Sequence, residues 1–316
     1  MSIKRLAGIL FIAAILAVFI RMVVFETIRI ATPAMSESQP SGNRLIVEKW
    51  SLGARIPLSI GLPLTSDSLM GKPAFFQLAK KAHRLPGFRE IHRNDLIAFN
   101  FPVKDNKPLD MHPILLSRCI GLPGDYVRLK GIRLFVNDEE IKRPEKASIC
   151  YGYPVAWQSR MIRQLKSCHI DQETYQEKDS GFVYLTRHEY DLLTRRQSGD
   201  NMQLKPCTSS FDEKTALVPY EGFRIKLTDR SFGTWSETIN KFEGVKLTRI
   251  GKDHFRKNGK DAEFYIFKQN YYWVLNDHQG YLNDSRGLGL IPESHVIGRA
   301  WLVLFSPATK RFLQKI

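Results

Sequence analysis

At 316 residues the chain is long enough for one large domain or two smaller ones around a sizeable buried core. Its 47 basic residues against 32 acidic ones leave a formal charge of +15, a surplus that suits an anionic membrane surface or nucleic acid. With neither paired zinc-ligand motifs nor an aromatic RNA-binding box, and with an apolar start, the sequence favours the lipid bilayer as partner and argues against nucleic acid.

Lys4 and Arg5 precede an apolar run from Leu6 to Ile20 that continues past Arg21 to Phe25. Residues 6–25 predict a transmembrane anchor of about 30 Å at roughly 1.5 Å per residue, with Arg21 able to snorkel to the headgroups. A cleavable secretory signal is the rival, with Thr32-Pro33-Ala34 in the place of a cleavage site. The run is long for a signal core, however, and that site lies nine residues beyond Phe25. The charged start predicts a cytoplasmic tail (1–5), with the rest of the chain outside. Residues 28–35 are expected to be extended, with Ala34 and Ser36 on one strand face. The Pro- and Gly-rich stretch from Leu58 to Glu90 predicts an irregular excursion with a short helix around Phe75 to His83, lying against lipid or under the domain. Arg93 to Pro102 reads as a strand with a proline stop.

The central stretch is Leu116 to Gly121, an apolar strand in which Cys119 packs as a small apolar residue. It runs into the turn Gly121-Leu122-Pro123-Gly124-Asp125, where the glycines allow positive φ and Pro123 fixes its own. Strands at Tyr126 to Leu129 and Leu134 to Asn137 follow, joined by a Lys130-Gly131 turn. Residues 142–261 are the least regular, with a loop at Tyr175 to Gly181 and a helix at Arg187 to Arg196, and no repeat or low-complexity tract. Val296 to Phe305 is a last apolar strand. The cysteines show no Cys-x-x-Cys spacing, which argues against zinc, and no cofactor is expected. One disulfide among Cys150, Cys168 and Cys207 suits the oxidising side of a membrane, and the sequence does not choose the pair.

Several of these stretches, in this order, resemble the boxes of type I signal peptidases, membrane-anchored Ser/Lys-dyad proteases that remove signal peptides from exported proteins. Ser117-Arg118-Cys119-Ile120-Gly121-Leu122-Pro123-Gly124-Asp125 resembles the Lys-Arg-x-x-Gly-Leu-Pro-Gly-Asp box, with Ser117 at the general-base lysine. Lys49, Gly53, Arg55 and Pro57 match a Lys-x-x-x-Gly-x-Arg-x-Pro continuation, and Arg93-Asn94-Asp95 resembles an Arg-Gly-Asp strand. Laid on the Ser-Met-x-Pro-Thr-Leu-x-x-Gly-Asp box, the chain places Ala34 at the nucleophile, Met35 at the methionine, Gly42 at the glycine and Asn43 at the aspartate. In the last box Asp277, Asp284, Ser285, Arg286, Gly289 and Pro292 match, Asn276 and His278 replace glycine and asparagine, and Leu282 replaces a serine that bonds the lysine. Leu217 to Ile250 also resembles the long Bacteroidetes-like members.

The resemblance implies a mainly β fold: a signal-peptidase-like β core at 26–141 and 262–316, an inserted smaller β or α+β region at 142–261, and one N-terminal transmembrane helix in the inner (cytoplasmic) membrane, with the main domain periplasmic. It also implies a possible oxyanion-hole hydroxyl at Thr32, support of the site by Met35, Arg118 and Ser285, and a bracing ion pair between Asp284 and Arg286. A Ser/Lys protease needs a hydroxyl within about 3 Å of a neutral amine. Ala34 has no hydroxyl, and the Ser117 alcohol is a poor base. His112 and His278 are candidate bases by residue type, since histidine as a class is suited to proton transfer near neutral pH, but both are read as structural. An engineered Ser-to-Ala change would explain Ala34 but neither Ser117 nor Leu282. The expectation is a catalytically degenerate homologue that binds signal peptides or preproteins beside an active paralogue or export component. The rivals are an active peptidase using other residues and a basic membrane-surface scaffold.

Overall fold

The computed structural model of the chain describes residues 3–35, 38–61, 68–69, 72–73, 75–77, 79, 83–103, 107–195, 204–307 and 310–316. It opens with the helix Ile3–Val23, and Phe25 begins the strand Phe25–Arg29 instead of closing the helix. The helix's described side chains from Lys4 to Arg21 are exposed. Among the described residues no helix is long and apolar enough to cross a membrane.

The main sheet is antiparallel, in the order Phe25–Arg29, Arg44–Glu48, Val296–Ser306, Leu96–Asn100, Ile114–Gly121, Tyr271–Leu275, Ile291–Pro292, with Arg311–Lys315 also on Val296–Ser306. Strands far apart in sequence thus become neighbours. Successive side chains of a strand point to opposite faces, and along Leu96–Asn100 both faces are covered. Leu96 and Ala98 join a core with Leu45, Val47 and Val303, while Ile97 and Phe99 join another with Cys119, Val274 and Ile291. Burial on both sides explains why these strands read as continuous apolar runs without polar alternation.

The Gly-Leu-Pro-Gly-Asp turn uses its glycines differently. Gly124 takes φ +95°. Gly121, which as glycine was free to take positive φ, instead ends the central strand where an added Cβ would lie 2.5 Å from Val127 and 2.9 Å from Trp273. The following strands Tyr126–Lys130 and Arg133–Val136 pair with Glu139–Ile141 and Glu213–Leu217. Their inner residues Val127, Leu129 and Leu134 share one core with Trp235, Ile239, Tyr265 and Trp273. A further sheet of Thr174–Glu177, Ser180–Thr186, Ser148–Pro154 and Lys205–Pro206 carries the helices Gln158–Ser167 and Arg187–Arg195 around Met161, Leu165, Val183 and Leu193.

Three local expectations are corrected. Residues 175–181, expected to be a loop, belong to a hairpin turning at Lys178 (φ +52°), and its outer strand is polar because it is exposed at the sheet edge. Phe75–Gln77, expected to be helical, pairs as a strand with Ser59–Gly61, in keeping with the β preference of adjacent aromatics. Pro33–Met35, expected to be extended, is a 3-10 turn started by the fixed φ of Pro33. Ser36 and Arg196 lie outside the described residues.

Candidate functional site

The turn Pro33–Met35 packs against the central strand Ile114–Gly121, and Ala34 and Met35 are each 1% exposed. Three consecutive residues beyond the strand Tyr271–Leu275 tie the two together. The His278 N–H donates to the Ala34 carbonyl at 3.0 Å, the Asp277 N–H to Met35 Sδ at 3.3 Å, and the Ser117 hydroxyl to Asn276 Oδ1 at 2.7 Å. The positions predicted for nucleophile and base are therefore both held by residues 276–278. They present a buried methyl group and a fully buried alcohol whose proton is already engaged. Asn276 Nδ2 donates to the Tyr281 carbonyl at 3.1 Å and to Asn283 Oδ1 at 2.6 Å, which orients the amide oxygen toward Ser117.

Asp277 is gripped by Arg118 in two parallel bonds, Nε to Oδ1 at 2.8 Å and Nη2 to Oδ2 at 2.6 Å, a bidentate geometry that fixes direction as well as charge. Arg118 Nη1 donates to the Asn94 carbonyl at 3.0 Å, and Asn94 adopts φ +73°, a conformation asparagine tolerates where the resembling strand has glycine. Ser38 was not anticipated. Its hydroxyl donates to Asp277 Oδ2 and accepts from Arg118 Nη2 at 3.2 Å. No local pattern marks Ser38, because its carboxylate partner is 239 residues away.

Asp284 caps the short helix Ser285–Leu288, accepting from the Arg286 N–H at 3.0 Å and from the Asn276 N–H at 2.9 Å. Its carboxylate pairs with Arg286 Nη2 at 2.8 Å, and Arg286 Nη1 reaches Asp212 Oδ1 at 3.3 Å and the Gln279 carbonyl at 2.8 Å. Asp212 and Gln279 were likewise unanticipated. Ser285 Oγ accepts from the Val274 N–H at 2.8 Å, so it braces the strand end. Leu282 is half-buried with its carbonyl beneath Gly287, and offers Ser117 no hydrogen-bonding side chain. Thr32 stands half-buried just ahead of the turn.

The histidines are placed structurally. His112 is buried with Nδ1 3.1 Å from the Phe101 carbonyl. The His278 ring lies 4.4 Å from that of Tyr184 and 4.9 Å from that of Tyr281, and its Nδ1 accepts from the Gly280 N–H at 3.1 Å. Burial, with the Arg286 charge adding to it, pushes the His278 imidazole down to about 4. Beside Asn276 and Asp277, burial and then Arg286 push the Arg143 guanidinium down to about 10, so it stays charged at neutral pH; its two Nη atoms have no hydrogen-bond partner among the described residues. Among the described residues no three His, Cys, Asp or Glu side chains gather to hold a metal.

Fold and site together define the class: a mainly antiparallel β scaffold in which the Ala34 turn and the Ser117 strand are joined by residues 276–278. Residues 3–188, more than half of the chain, match the family described as "Signal peptidase, peptidase S26", and the chain belongs to that family. It is 26% identical over 139 residues to Signal peptidase I V of Bacillus subtilis (strain 168), covering 44% of this chain and 56% of that one. Signal peptidase I of Buchnera aphidicola subsp. Schizaphis graminum (strain Sg) is 22% identical over 287 residues, 91% of this chain and 70% of its own length. Signal peptidase I of Rickettsia bellii (strain OSU 85-389) is 26% identical over 164 residues, 52% of this chain and 48% of its own. The chain thus spans about half the length of the Bacillus and Rickettsia relatives.

Proposed function

We propose that the chain is a membrane-anchored signal peptidase homologue that binds signal peptides, or other extended segments of exported proteins, without cleaving them. The observation that carries this reading is the pair at the two reactive positions, a methyl group at Ala34 and, at Ser117, a hydroxyl committed to Asn276. Removing the nucleophile of a comparable serine protease lowers turnover by about 10⁶, and losses within such a unit do not add. A peptide-binding role is supported by the central strand. Its ladder with Tyr271–Leu275 ends at Arg118, and among the described residues Ile114–Ser117 pairs in a ladder only with Leu96–Asn100, beside the Pro33–Met35 turn, so strand addition there is the binding mode this reading invokes.

The exposed helix Ile3–Val23, uncharged from Leu6 to Ile20, supports anchoring in the inner membrane, with Lys4 and Arg5 inside and the β domain periplasmic. Residues 26–141 and 262–316 then form the peptide-binding core, residues 142–261 an inserted region, and an intact paralogue or export component the cleaving partner. A second reading, an active peptidase, is favoured only by Ser38, whose hydroxyl donates to Asp277. Both oxygens of that carboxylate are already engaged by Arg118.

The test is a cleavage assay in detergent on a preprotein with a small-x-small site, using the natural chain beside an Ala34→Ser, Ser117→Lys variant with and without Leu282→Ser. The natural chain is expected to release no signal peptide while a photoreactive signal peptide labels it. Cleavage by the natural chain sinks the proposal, and its loss in Ser38→Ala assigns the activity to the second reading. Salt-sensitive binding to anionic vesicles with no signal-peptide label points instead to the scaffold.

A further inference from the structure

The four cysteines are free thiols in very different surroundings. Cys119 is sealed in the central strand, and Cys168 follows the helix Gln158–Ser167. Cys150 and Cys207 face each other. The strands Ser148–Pro154 and Lys205–Pro206 pair antiparallel in the register Tyr151↔Pro206 and Gly152↔Lys205, and one further step sets Cys150 opposite Cys207, whose N–H donates to the Cys150 carbonyl at 2.8 Å. Directly opposed residues of an antiparallel pair stand about 4.5–5.5 Å apart at Cα. That lies within the range of about 4.4–6.8 Å that disulfides span.

The side chains lean together as well. Gly152 lies on the same strand face as Cys150, two residues on, and a Cβ there would come within 3.1 Å of Cys207 Sγ. Glycine thus leaves the space beside Cys150 that the Cys207 sulfur occupies. We infer that Cys150 and Cys207 form a dithiol that closes to an intramolecular disulfide by exchange with a small-molecule disulfide.

Cys207 is the entry point. It is half-exposed and lines a surface groove of about 530 Å³ with Tyr153, Trp157 and Phe182, whereas Cys150 is buried. The nearness of Cys150 lowers the Cys207 thiol from its ordinary value, and that same nearness, with burial, raises the Cys150 thiol. A lowered thiol is the better nucleophile near neutral pH. The Cys207 thiolate attacks one sulfur of the donor disulfide, forming a mixed disulfide and expelling one thiolate. Cys150 gives its proton to solvent and attacks the Cys207 sulfur, expelling the second thiolate. The two protein thiols lose two protons and two electrons, and the donor leaves as two thiols.

The bond would close the chain between 150 and 207 beside Gln279, whose side chain accepts from the Cys150 N–H at 2.9 Å and donates to the Cys207 carbonyl at 3.1 Å. The experiment treats the reduced full chain in detergent with oxidised glutathione, alkylates the remaining thiols, and maps linked peptides by non-reducing mass spectrometry. Two thiols are expected to disappear into a Cys150–Cys207 cross-link, unchanged in Cys168→Ser and abolished in Cys207→Ser. A cross-link through Cys168, glutathione left on Cys207 with Cys150 free, or four thiols still free would each overturn the inference, and all are read on the natural chain.

Discussion

Ser117 and Asn276 suit one another. The resembling boxes have lysine and glycine at these positions. Here the shorter side chain at 117 finds its acceptor in the longer one at 276, at 2.7 Å, so the polar atoms of both remain satisfied in a fully buried place. Substituting one alone would leave a buried polar group unpaired, which costs about 1–3 kcal/mol. Arg286 is the heavier anchor, since it pairs with both Asp284 and Asp212 with 1% of its own side chain exposed. Arg286→Ala is expected to lower stability by about 3–5 kcal/mol by stranding buried carboxylates. Urea unfolding checks this, and Arg286→Lys should recover only part because it keeps the charge without the fork. At this scale legibility depended on distance along the chain. Asp284 and Arg286 lie two apart and were readable as a pair, whereas Arg286 and Asp212 are 74 apart, and Ser38 and Asp277 239 apart.

Among the elements, the apolar strands were legible because burial on both faces leaves an unbroken hydrophobic run, as at Leu96–Asn100. The helix Asp229–Phe242 was not recognised, although Phe232, Trp235, Ile239 and Phe242 recur at helical spacing and pack into one core. Its start was obscure because the reciprocal cap uses Thr228 and Ser231, without the glutamate that usually marks such a box. Thr228→Ala is expected to cost about 1 kcal/mol, seen as a lower urea midpoint with an unchanged slope. The hairpin 174–186 escaped notice for the opposite reason: an exposed edge strand needs no apolar alternation.

For the molecule as a whole, acid response follows from two half-buried histidines, His278 and His295. Burial holds His278 at about 4 and His295 at about 3, both below the ordinary 6.5. As pH falls below about 6.5 the unfolded chain takes up protons that the native one refuses, so stability drops until about 4 for His278 and about 3 for His295, and neither adds a further loss below. Thermal melts across that range are expected to show a falling Tm, with a shallower slope in His278→Gln and His295→Gln. The sequence by itself determined the family boxes and their order, the apolar N-terminal run, and the missing hydroxyl and amine, because these are matters of residue identity and local pattern. Only the tertiary structure decided that residues 276–278 hold both Ala34 and Ser117, that Ser38 and Asp212 join the site, and that Cys150 meets Cys207. Each of those meetings depends on sheet register and on packing between distant segments, which no local pattern encodes.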